Sequence, residues 1–343
     1  MSEAKRRWVQ RPPGSNWGDF GDDDQLGRLN LITPQCRRAA AAEVIEGRTF
    51  CLSLPLDYPG GSSLNPRRQA PRIRPVNRGG LPNWMFEVER EVPGATDVMN
   101  DDMATIWLQY STQWDSLAHA GSSFDANGDG RPEPVFYNGF RGGIEIPKPE
   151  GSGESLTSAT RALGIDVIAR HGVQGRGVLV DLRAHCGDKR EVVGYERLSA
   201  IMRDDGVVVQ PGDILCLHTG FSQRLLEWKR EPDPEQIHTI CAALDGRDDK
   251  LLQWITNSGI AALVADNYAI EAYPNDKPPG RCAVLPLHEH CLFKLGLPLG
   301  EIWYLNELAV WLRENKRSRF MLTAPPLRLP GAVGSPVTPI ATV

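Results

Sequence analysis

The sequence has little that would commit the chain to a membrane or to nucleic acid. No apolar run among its 343 residues reaches the ~18 residues of a membrane span. The 38 basic and 43 acidic residues give a net charge of −5, so no positive field is available to hold nucleic acid or an anionic membrane surface. A small molecule or another protein is therefore the expected partner.

The sequence also lacks the paired cysteines of a disulfide framework. Its seven cysteines are an odd number, and none forms a C-x-x-C pair. They lie mostly among apolar neighbours, at positions 36, 51, 186, 216, 241, 282 and 291. This pattern favours reduced, buried thiols and a cytoplasmic protein. The charged residues 1–7 are followed by arginine and two prolines rather than an apolar stretch, so we expect no secretory signal.

A hydrophobic content of 41% allows a chain of this length to bury a large core. No internal repeat and no phosphate-binding glycine loop is seen. We predict an N-terminal arm over residues 1–16 and a single domain over 17–343, with an irregular tail from Ala324. The segment at about 57–97 is rich in Pro, Gly, Arg and Asn, and loops of that length are usually functional. We expect a homodimer or homotetramer in which such loops from a neighbour close the pocket.

Helix and strand signals occur along the whole chain and alternate in its second half. Thr33 and Pro34 suit the N-cap and first residue of a helix that ends at Gly47. The apolar segment 103–109 predicts a buried strand. Further helices are predicted over residues 157–171, 195–203, 222–229, 234–243, 250–256 and 306–313, and strands over 49–56, 177–182, 213–218, 260–265 and 319–323.

The segment 109–119 collects polar side chains at the end of the strand predicted over 103–109. Gln109, Gln113 and Asp115 are evenly spaced, which puts them on one face of an extended strand. His119 follows four residues after Asp115, where the chain can turn back over the same face. The cluster is either a row of oxygen ligands beside an imidazole or a polar group that only hydrogen-bonds loop backbone.

A second polar cluster consists of His288, His290 and the more distant Glu301. Its H-E-H spacing differs from the H-E-x-x-H of zinc metalloproteases. On a helix the two histidines diverge by about 200°, so at most one can face a shared centre. By itself, His288 fits a surface or capping histidine as well as a ligand.

Aromatic and strand-end residues are candidates for substrate binding. Trp17 and Phe20 lie in a loop of aromatics, glycines and acids, which either lines a pocket or forms a solvated acidic turn. His218 ends a predicted strand and either borders the pocket or is a buried structural histidine. Asp266 ends another predicted strand, with Asn267 and Glu271 close behind it. Acids at such positions often face ligand crevices, so these three residues are candidates for the site as well.

Several stretches of the chain resemble the metal-dependent cyclase/hydrolase family that includes bacterial kynurenine formamidase, isatin hydrolase and trans-dienelactone hydrolase. The matching stretches are Asn16-Trp17-Gly18, residues 21–31, Thr112–His119, Tyr137-Asn138-Gly139, Pro286-Leu287-His288, Gly300-Glu301 and Ser335–Ile340. The resemblance covers nearly the whole chain. It implies a compact α/β fold of the swivelling β/β/α type, in which a central, partly barrel-like sheet is covered by helices.

The resemblance also implies roles for individual residues. In the formamidase-type motif His-x-Gly-Thr-His-x-Asp-x-Pro-x-His, the histidines and the aspartate bind one or two divalent metals, and the last histidine moves a proton. The motif corresponds in this chain to Gln109, Ser111, Thr112, Gln113, Asp115, Leu117 and His119, and the family's distal ligands correspond to His288 and Glu301. Asp115 and His119 are thus the expected catalytic pair. Substrate contacts are assigned to Trp17, Phe20, Asn30, Trp114 and His218.

Two departures from the motif bear on the metal. Gln109 and Gln113 replace both leading histidines, and amide oxygens are poor ligands for zinc. With Asp115, Glu301 and His288 they could still form an oxygen-rich site for manganese, magnesium or calcium. The sequence is therefore consistent with a site that holds a divalent cofactor (manganese, zinc or magnesium) and equally with a site that holds no metal.

Three functional hypotheses follow from the resemblance. The first is a metal-dependent hydrolase of a small cyclic or aryl amide, imide or lactone, similar to kynurenine formamidase. The second is a metal-independent cyclase or lyase that uses Asp115 and His119 as acid and base. The third is a non-catalytic homologue that binds a small molecule.

Overall fold

The computed structural model describes residues 6–153, 156–157, 159–275 and 277–343. Its helices are α1 Pro34–Ala41, α2 Ile165–His171, α3 Leu182–Cys186, α4 Tyr195–Asp204, α5 Phe221–Glu227, α6 Asp249–Ser258, α7 Pro286–His288 and α8 Asn306–Glu314. Its strands are β1 Thr49–Cys51, β2 Arg72–Pro75, β3 Asn77–Arg78, β4 Leu81–Pro82, β5 Phe86–Glu87, β6 Val98–Met99, β7 Asp102–Thr105, β8 Gln113–Asp115, β9 Ser122–Phe124, β10 Glu133–Val135, β11 Gln174–Asp181, β12 Glu191–Val193, β13 Ile214–His218, β14 Ala242–Leu244, β15 Ala262–Ala265, β16 Leu299–Glu301, β17 Arg319–Thr323, β18 Gly334–Pro336 and β19 Ile340–Thr342.

A curled half-barrel sheet organises the fold, in the order β1-β19-β17-β11-β13-β15-β16-β8-β18. Its centre, from β11 through β13 and β15 to β16, is parallel, and both flanks are antiparallel. Parallel strands need crossover connections, and the helices between them cover the sheet. The predicted α/β fold with a helix-covered central sheet is confirmed.

Alternate residues of the central strands face two separate cores. On β13, Leu215 and Leu217 belong to one apolar cluster, whereas Ile214 and Cys216 belong to the other. This is the period of two that a strand imposes. Helices α4 and α6 cover the first face, and α2 and α8 cover the second. Both faces are therefore closed to water, and polar chemistry is confined to the edges and ends of the strands.

Most of the helices and strands predicted in the second half are confirmed, but three expectations are wrong. Residues 103–109 do not form a buried strand, because β7 is exposed along its whole length and pairs with β2 outside the main sheet. Residues 234–243 are not helical: the Asp233 carboxylate accepts the N–H groups of Glu235 and Gln236, which stabilises a turn.

The third wrong expectation concerns the tail after Ala324, which is irregular only in part. Strand β19 lies between β1 and β17, and β18 pairs with β8. The tail thus docks through its backbone and completes both flanks of the sheet.

The N-terminal residues pack on the domain that follows. Trp8 is buried, and its ring meets Trp17 edge to face at 5.6 Å. Residues 1–5 of the predicted arm lie outside the described residues, as does residue 158 within the helix predicted over 157–171. Within the described ranges, the chain contains no helix with the length and apolar character of a membrane span.

Candidate active site

Strand β8 positions the central side chains of the site. It lies between β16 and β18, with Gln113 opposite Glu301 and Asp115 opposite Leu299. Because alternate residues share a face, Gln113 and Asp115 point the same way. Trp114 points to the other side, where its indole donates to the carbonyl of Ala324 and meets Trp303 edge to face at 5.1 Å.

Asp115 is fully buried, yet neither of its carboxylate oxygens has a hydrogen-bond partner among the described residues. The side-chain oxygen of Gln113 is equally buried and equally unpaired. Burial raises the pKa of Asp115, and the nearby His119 imidazole opposes that shift. A buried acceptor without a donor costs about 1–3 kcal/mol, so this arrangement is expensive unless a cation or a donor from a ligand completes it.

His288 is held between two glutamates at the end of the short helix α7, which begins at Pro286. Its Nδ1 lies 2.9 Å from Glu271 Oε1, and its Nε2 lies 3.1 Å from Glu301 Oε1. Glu271 also accepts the backbone N–H groups of Leu287 and His288. Burial by itself would lower the pKa of His288, but the two carboxylates outweigh it and raise the pKa to about 10.

Asp115, His288 and Glu301 form one compact group, with a ligand atom of each within 4.8 Å of the others. Gln113 joins the group because its amide nitrogen donates to Glu301 at 3.2 Å. Burial would raise the pKa of Glu301, but its hydrogen bond to His288 keeps that pKa below its usual range. Two carboxylates, an amide oxygen and an imidazole that gives up its Nε2 proton on binding suit a divalent ion that accepts oxygen ligands. The donor set therefore fits a metal, and the unpaired oxygens of Asp115 and Gln113 fit it best.

His119 lies beside this group, on its solvent-exposed side. Its Nε2 is 3.8 Å from Asp115 Oδ1, and its side chain is 25% exposed, against 1% for Asp115. The turn that returns it is fixed by a hydrogen bond from its own N–H to the Ser116 carbonyl. His119 can therefore exchange protons with both the buried group and an incoming molecule.

The structure does not place Gln109 on β8 with the other two side chains. Its carbonyl accepts a hydrogen bond from Arg68, which comes from the excursion at 57–97. Its side chain packs on Gly334 of β18, where an added Cβ would lie 2.3 Å from the amide nitrogen. Gln109 thus lines the edge of the site, and Gly334 is small enough to allow it.

Of the residues assigned to substrate contact, two tryptophans lie in the core. Trp17 is buried and donates to the carbonyl of Phe293, and Trp114 packs on the far face of β8. Asn30 hydrogen-bonds Asp24 and the Gly27 carbonyl within its own loop, and Phe20 is half-buried in that loop's first turn. None of the four joins the Asp115 group through a described hydrogen bond or ring contact.

His218 belongs to a separate buried cluster at the end of β13. Its Nδ1 lies 2.7 Å from Asp181 Oδ1, and Arg313 donates to the other oxygen of Asp181. Burial raises the pKa of Asp181, but the hydrogen bond and charge of His218 hold it below its usual range. These contacts make His218 a structural member of the sheet edge rather than a part of the Asp115 group.

Two residues of the site make contacts that the sequence does not show, although Glu271 lies near a strand end that the sequence marks as a candidate. Glu271 follows the strand-end residues Asp266 and Asn267, but nothing in the pattern shows that its carboxylate binds His288. Arg68 comes from a segment without periodicity. Burial raises the pKa of Asp115 and by itself would raise that of Glu301, and the positive charge of Arg68 opposes this effect at both carboxylates. Both act across long separations in sequence, which local patterns do not reveal.

Comparison with known proteins assigns the chain to a family. The family model "Cyclase: Putative cyclase" matches residues 52–272. A crystal structure described as a novel cyclase is 31% identical, with 97% of this chain and 100% of that chain covered and a TM-score of 0.74. The chain belongs to the Cyclase family. No curated protein matches this Cyclase-family sequence.

Solved isatin hydrolases share the Cyclase-family fold at lower identity. Isatin hydrolase A from Ralstonia solanacearum is 15% identical, with 90% of this chain and 97% of that chain covered and a TM-score of 0.55. Isatin hydrolase A from Labrenzia aggregata, bound to benzyl benzoate, is 13% identical, with 89% and 95% covered and a TM-score of 0.54. At these identities the likeness concerns the fold alone. The family and the fold that the sequence motifs imply are thus confirmed.

Proposed function

We propose that this Cyclase-family protein is a metal-dependent hydrolase of a small cyclic or aryl amide, imide or lactone. The observation that carries the proposal is the buried carboxylate of Asp115, whose two oxygens, like the neighbouring Gln113 oxygen, have no hydrogen-bond partner in the part of the chain that the structure describes. They face Glu301 and His288, which are the other members of a compact ligand group. A carboxylate left unpaired in a protein interior is costly, and a bound cation removes that cost.

The residues that would hold the ion are Asp115, Glu301, His288 and Gln113, with Gln109 at the edge. When bound, a divalent ion supplies Lewis acidity, which polarises a carbonyl and acidifies a coordinated water. The oxygen-rich donor set favours manganese or magnesium over zinc. Glu271 fixes the orientation of His288 through Nδ1, so that Nε2 points at the ligand group.

His119 is the residue that moves protons in this proposal. Its position 3.8 Å from Asp115 and its partial exposure let it reach both the buried group and the substrate. It takes a proton from the attacking water and gives it to the leaving nitrogen or oxygen, as a general base and then a general acid. Arg68, whose charge reaches Asp115 and Glu301, favours negative charge developing on the attacked carbonyl oxygen.

Protein purified without chelator tests the metal and the reaction together. We expect about one manganese or related ion per chain by elemental analysis, and turnover of at least one of N-formylkynurenine, isatin or a small lactone. A formylkynurenine-like aryl formamide as the best substrate would place the protein in tryptophan catabolism. His119→Ala should lose the turnover, whereas His185→Ala, which removes an imidazole paired with Asp205 on the surface, should not. Metal far below one ion per chain without activation by manganese or zinc would refute the metallohydrolase.

A metal-independent cyclase or lyase is the second candidate. It is favoured by the raised pKa of Asp115 and its contact with His119, which together make an acid/base pair without an ion. Turnover that persists after dialysis against EDTA and depends on both residues would select this candidate. A non-catalytic homologue that binds a small molecule is the third candidate, and turnover of any one substrate would refute it.

We also propose that the excursion contacts a second copy of this chain. Its strands β2 to β7 pair with one another in small sheets outside the main one, and they expose apolar side chains such as Ile73 at 70%, Trp84 at 52% and Met85 at 70%. Apolar exposure of this kind marks an interaction surface. Light scattering should give a homodimer or homotetramer, and Ile73→Glu with Met85→Glu should give a monomer. A wild-type monomer at micromolar concentration would refute this.

The cysteines support a cytoplasmic location as part of the same proposal. All seven are free in the structure, and free thiols persist in a reducing compartment. Fractionation of the native host tests this, and recovery outside the cytoplasm would contradict it.

A further inference from the structure

A cleft of about 710 Å³ adjoins the candidate active site. Its floor includes His288, and its wall includes Ala120, the residue that follows His119. The volume lies within the range of small-molecule sites. A molecule bound in this cleft therefore lies against His288, a member of the candidate ligand group, and next to the segment that carries His119.

Two arginines line the same cleft, Arg247 and Arg281. Arg247 is tethered on one edge, where its Nη2 donates to the Asn275 side chain at 3.1 Å and to the Ala283 carbonyl at 3.2 Å. The Nε of Arg247 is buried and has no partner among the described residues. The guanidinium is thus held in place with a donor left over.

Arg281 also lines the cleft and is held by Ser123, to whose carbonyl and hydroxyl it donates at 3.0 and 2.6 Å. Glu289 lines the cleft too, and its carboxylate accepts a hydrogen bond from Ser122 at 2.6 Å. Among the arginine and glutamate side chains that line the cleft, two are guanidiniums and one is a carboxylate, so the sum of their charges is positive.

We propose that this cleft binds a carboxylate of the substrate through Arg247, with Arg281 adding to the positive field. A guanidinium presents parallel N–H donors that match the two oxygens of a carboxylate. The inference rests on the proposed hydrolase function and narrows it: the preferred substrate is an acidic aryl or cyclic amide, imide or lactone. Its scissile bond lies at the His119 end of the cleft and its carboxylate at the Arg247 end.

Formanilide and the three isomeric formamidobenzoates test the proposed carboxylate site. Each formamidobenzoate is formanilide with a ring carboxylate, and the three place that carboxylate at increasing distance from the same C–N bond. For the wild type we expect kcat/KM for at least one isomer to exceed that for formanilide tenfold or more, through a lower KM. In Arg247→Gln that ratio should fall at least tenfold by a rise in KM, and Arg247→Lys should restore part of it. The surface variant Arg224→Gln, which removes one positive charge outside the cleft, controls for net charge.

The outcomes separate the inference from the function on which it rests. No preference for any isomer, or an equal loss on formanilide and the isomers in Arg247→Gln, would overturn the carboxylate site. If the wild type turns over none of the four compounds, calorimetry with benzoate decides the site alone: binding lost in Arg247→Gln supports it, and equal binding in both proteins overturns it. If Arg247→Gln does not fold, Arg281→Gln takes its place, with a smaller fall in the same ratio expected and an unchanged ratio counting against the site.

Discussion

Two aspartates of the main sheet have the same burial and opposite surroundings. Asp115 on β8 and Asp266, directly after β15, both have 0% of their surface exposed. Asp266 accepts hydrogen bonds from the N–H and hydroxyl of Thr219, at 2.7 and 2.6 Å, and from the N–H of Gly220, at 2.8 Å. Asp115 accepts none from the described residues.

The difference separates a structural carboxylate from one that the proposed metal would satisfy. Burial raises the pKa of both groups, but the loop after β13 satisfies Asp266 with its own donors and is held in one conformation by them. Asp115 has no such donors among the described residues, and the ion of the proposed function would account for its place in the interior. Substitutions at the two positions should therefore have opposite effects on stability and on activity.

Asp115→Asn gives the largest expected effect. The variant should lose metal and lower kcat/KM by about 10²–10⁴-fold, the range for loss of a principal catalytic group. Its melting temperature without metal should equal or exceed that of the wild type, because an unpaired buried charge has been removed. Kinetics and thermal unfolding in EDTA check both statements. A variant that melts well below the wild type would put Asp115 with Asp266 as a structural residue.

Asp266→Ala should show the reverse pattern. Removing this carboxylate leaves buried N–H and hydroxyl groups of Thr219 and Gly220 without an acceptor, and each such group costs about 1–3 kcal/mol. We expect the free energy of unfolding to fall by about 3 kcal/mol, measured by urea denaturation without metal. Metal content per folded chain should be unchanged. Asp115→Ala is the matched variant. If Asp266→Ala lowers the free energy of unfolding less than Asp115→Ala does, the contrast between the two aspartates is wrong.

Glu271→Gln extends the comparison to a carboxylate that contacts the ligand group only through His288. A carboxylate behind a metal-binding histidine typically contributes about 10–100-fold to metal affinity, and we expect that loss for manganese by calorimetry. Glu289→Gln is the control, since Glu289 lies next to His288 in sequence but binds Ser122 instead. Equal manganese affinities in the two variants would contradict the role of Glu271.

Asp248 extends the comparison to a half-buried carboxylate with backbone donors, and its effect should be the smallest. It caps α6 by accepting the N–H groups of Lys250 and Leu251, and it accepts that of Tyr195 at the start of α4. The Tyr195 hydrogen bond, partly opposed by desolvation, lowers its pKa. Asp248→Ala should cost about 1 kcal/mol at neutral pH.

The pH dependence of that cost follows from the sign of the shift. Because the folded-state pKa of Asp248 lies below the unfolded value of about 3.9, its stabilisation is fully present above that value and is lost as pH falls through the folded pKa. Urea denaturation from pH 7 to pH 3 should show the difference between wild type and Asp248→Ala shrinking only in acid. Asp249→Ala, one residue on, should show no such trend. A difference that stays constant down to pH 3 would argue against the cap.

Local patterns predicted the elements whose partners are close in sequence. The N-cap of α1 at Thr33, the buried strand β13 and the helix α6 each follow from capping and periodicity. The same patterns misplaced residues 103–109, because an apolar run does not specify whether the main sheet or the excursion pairs with it. The tail strands β18 and β19 were missed for a related reason, since their partners lie far away in the chain.

The sequence motifs by themselves indicated the family and, through the resemblance, named Asp115, His288 and Glu301, which the structure brings together. The sequence also placed Gln113 and Asp115 on one side of a strand, because alternation is a property of any extended chain. Only the tertiary structure decided that Asp115 is left without a donor while Asp266 is fully satisfied, and that Glu271 and Arg68 join the site. These hydrogen bonds depend on which distant segments of the chain pack together, and local sequence patterns do not specify that packing.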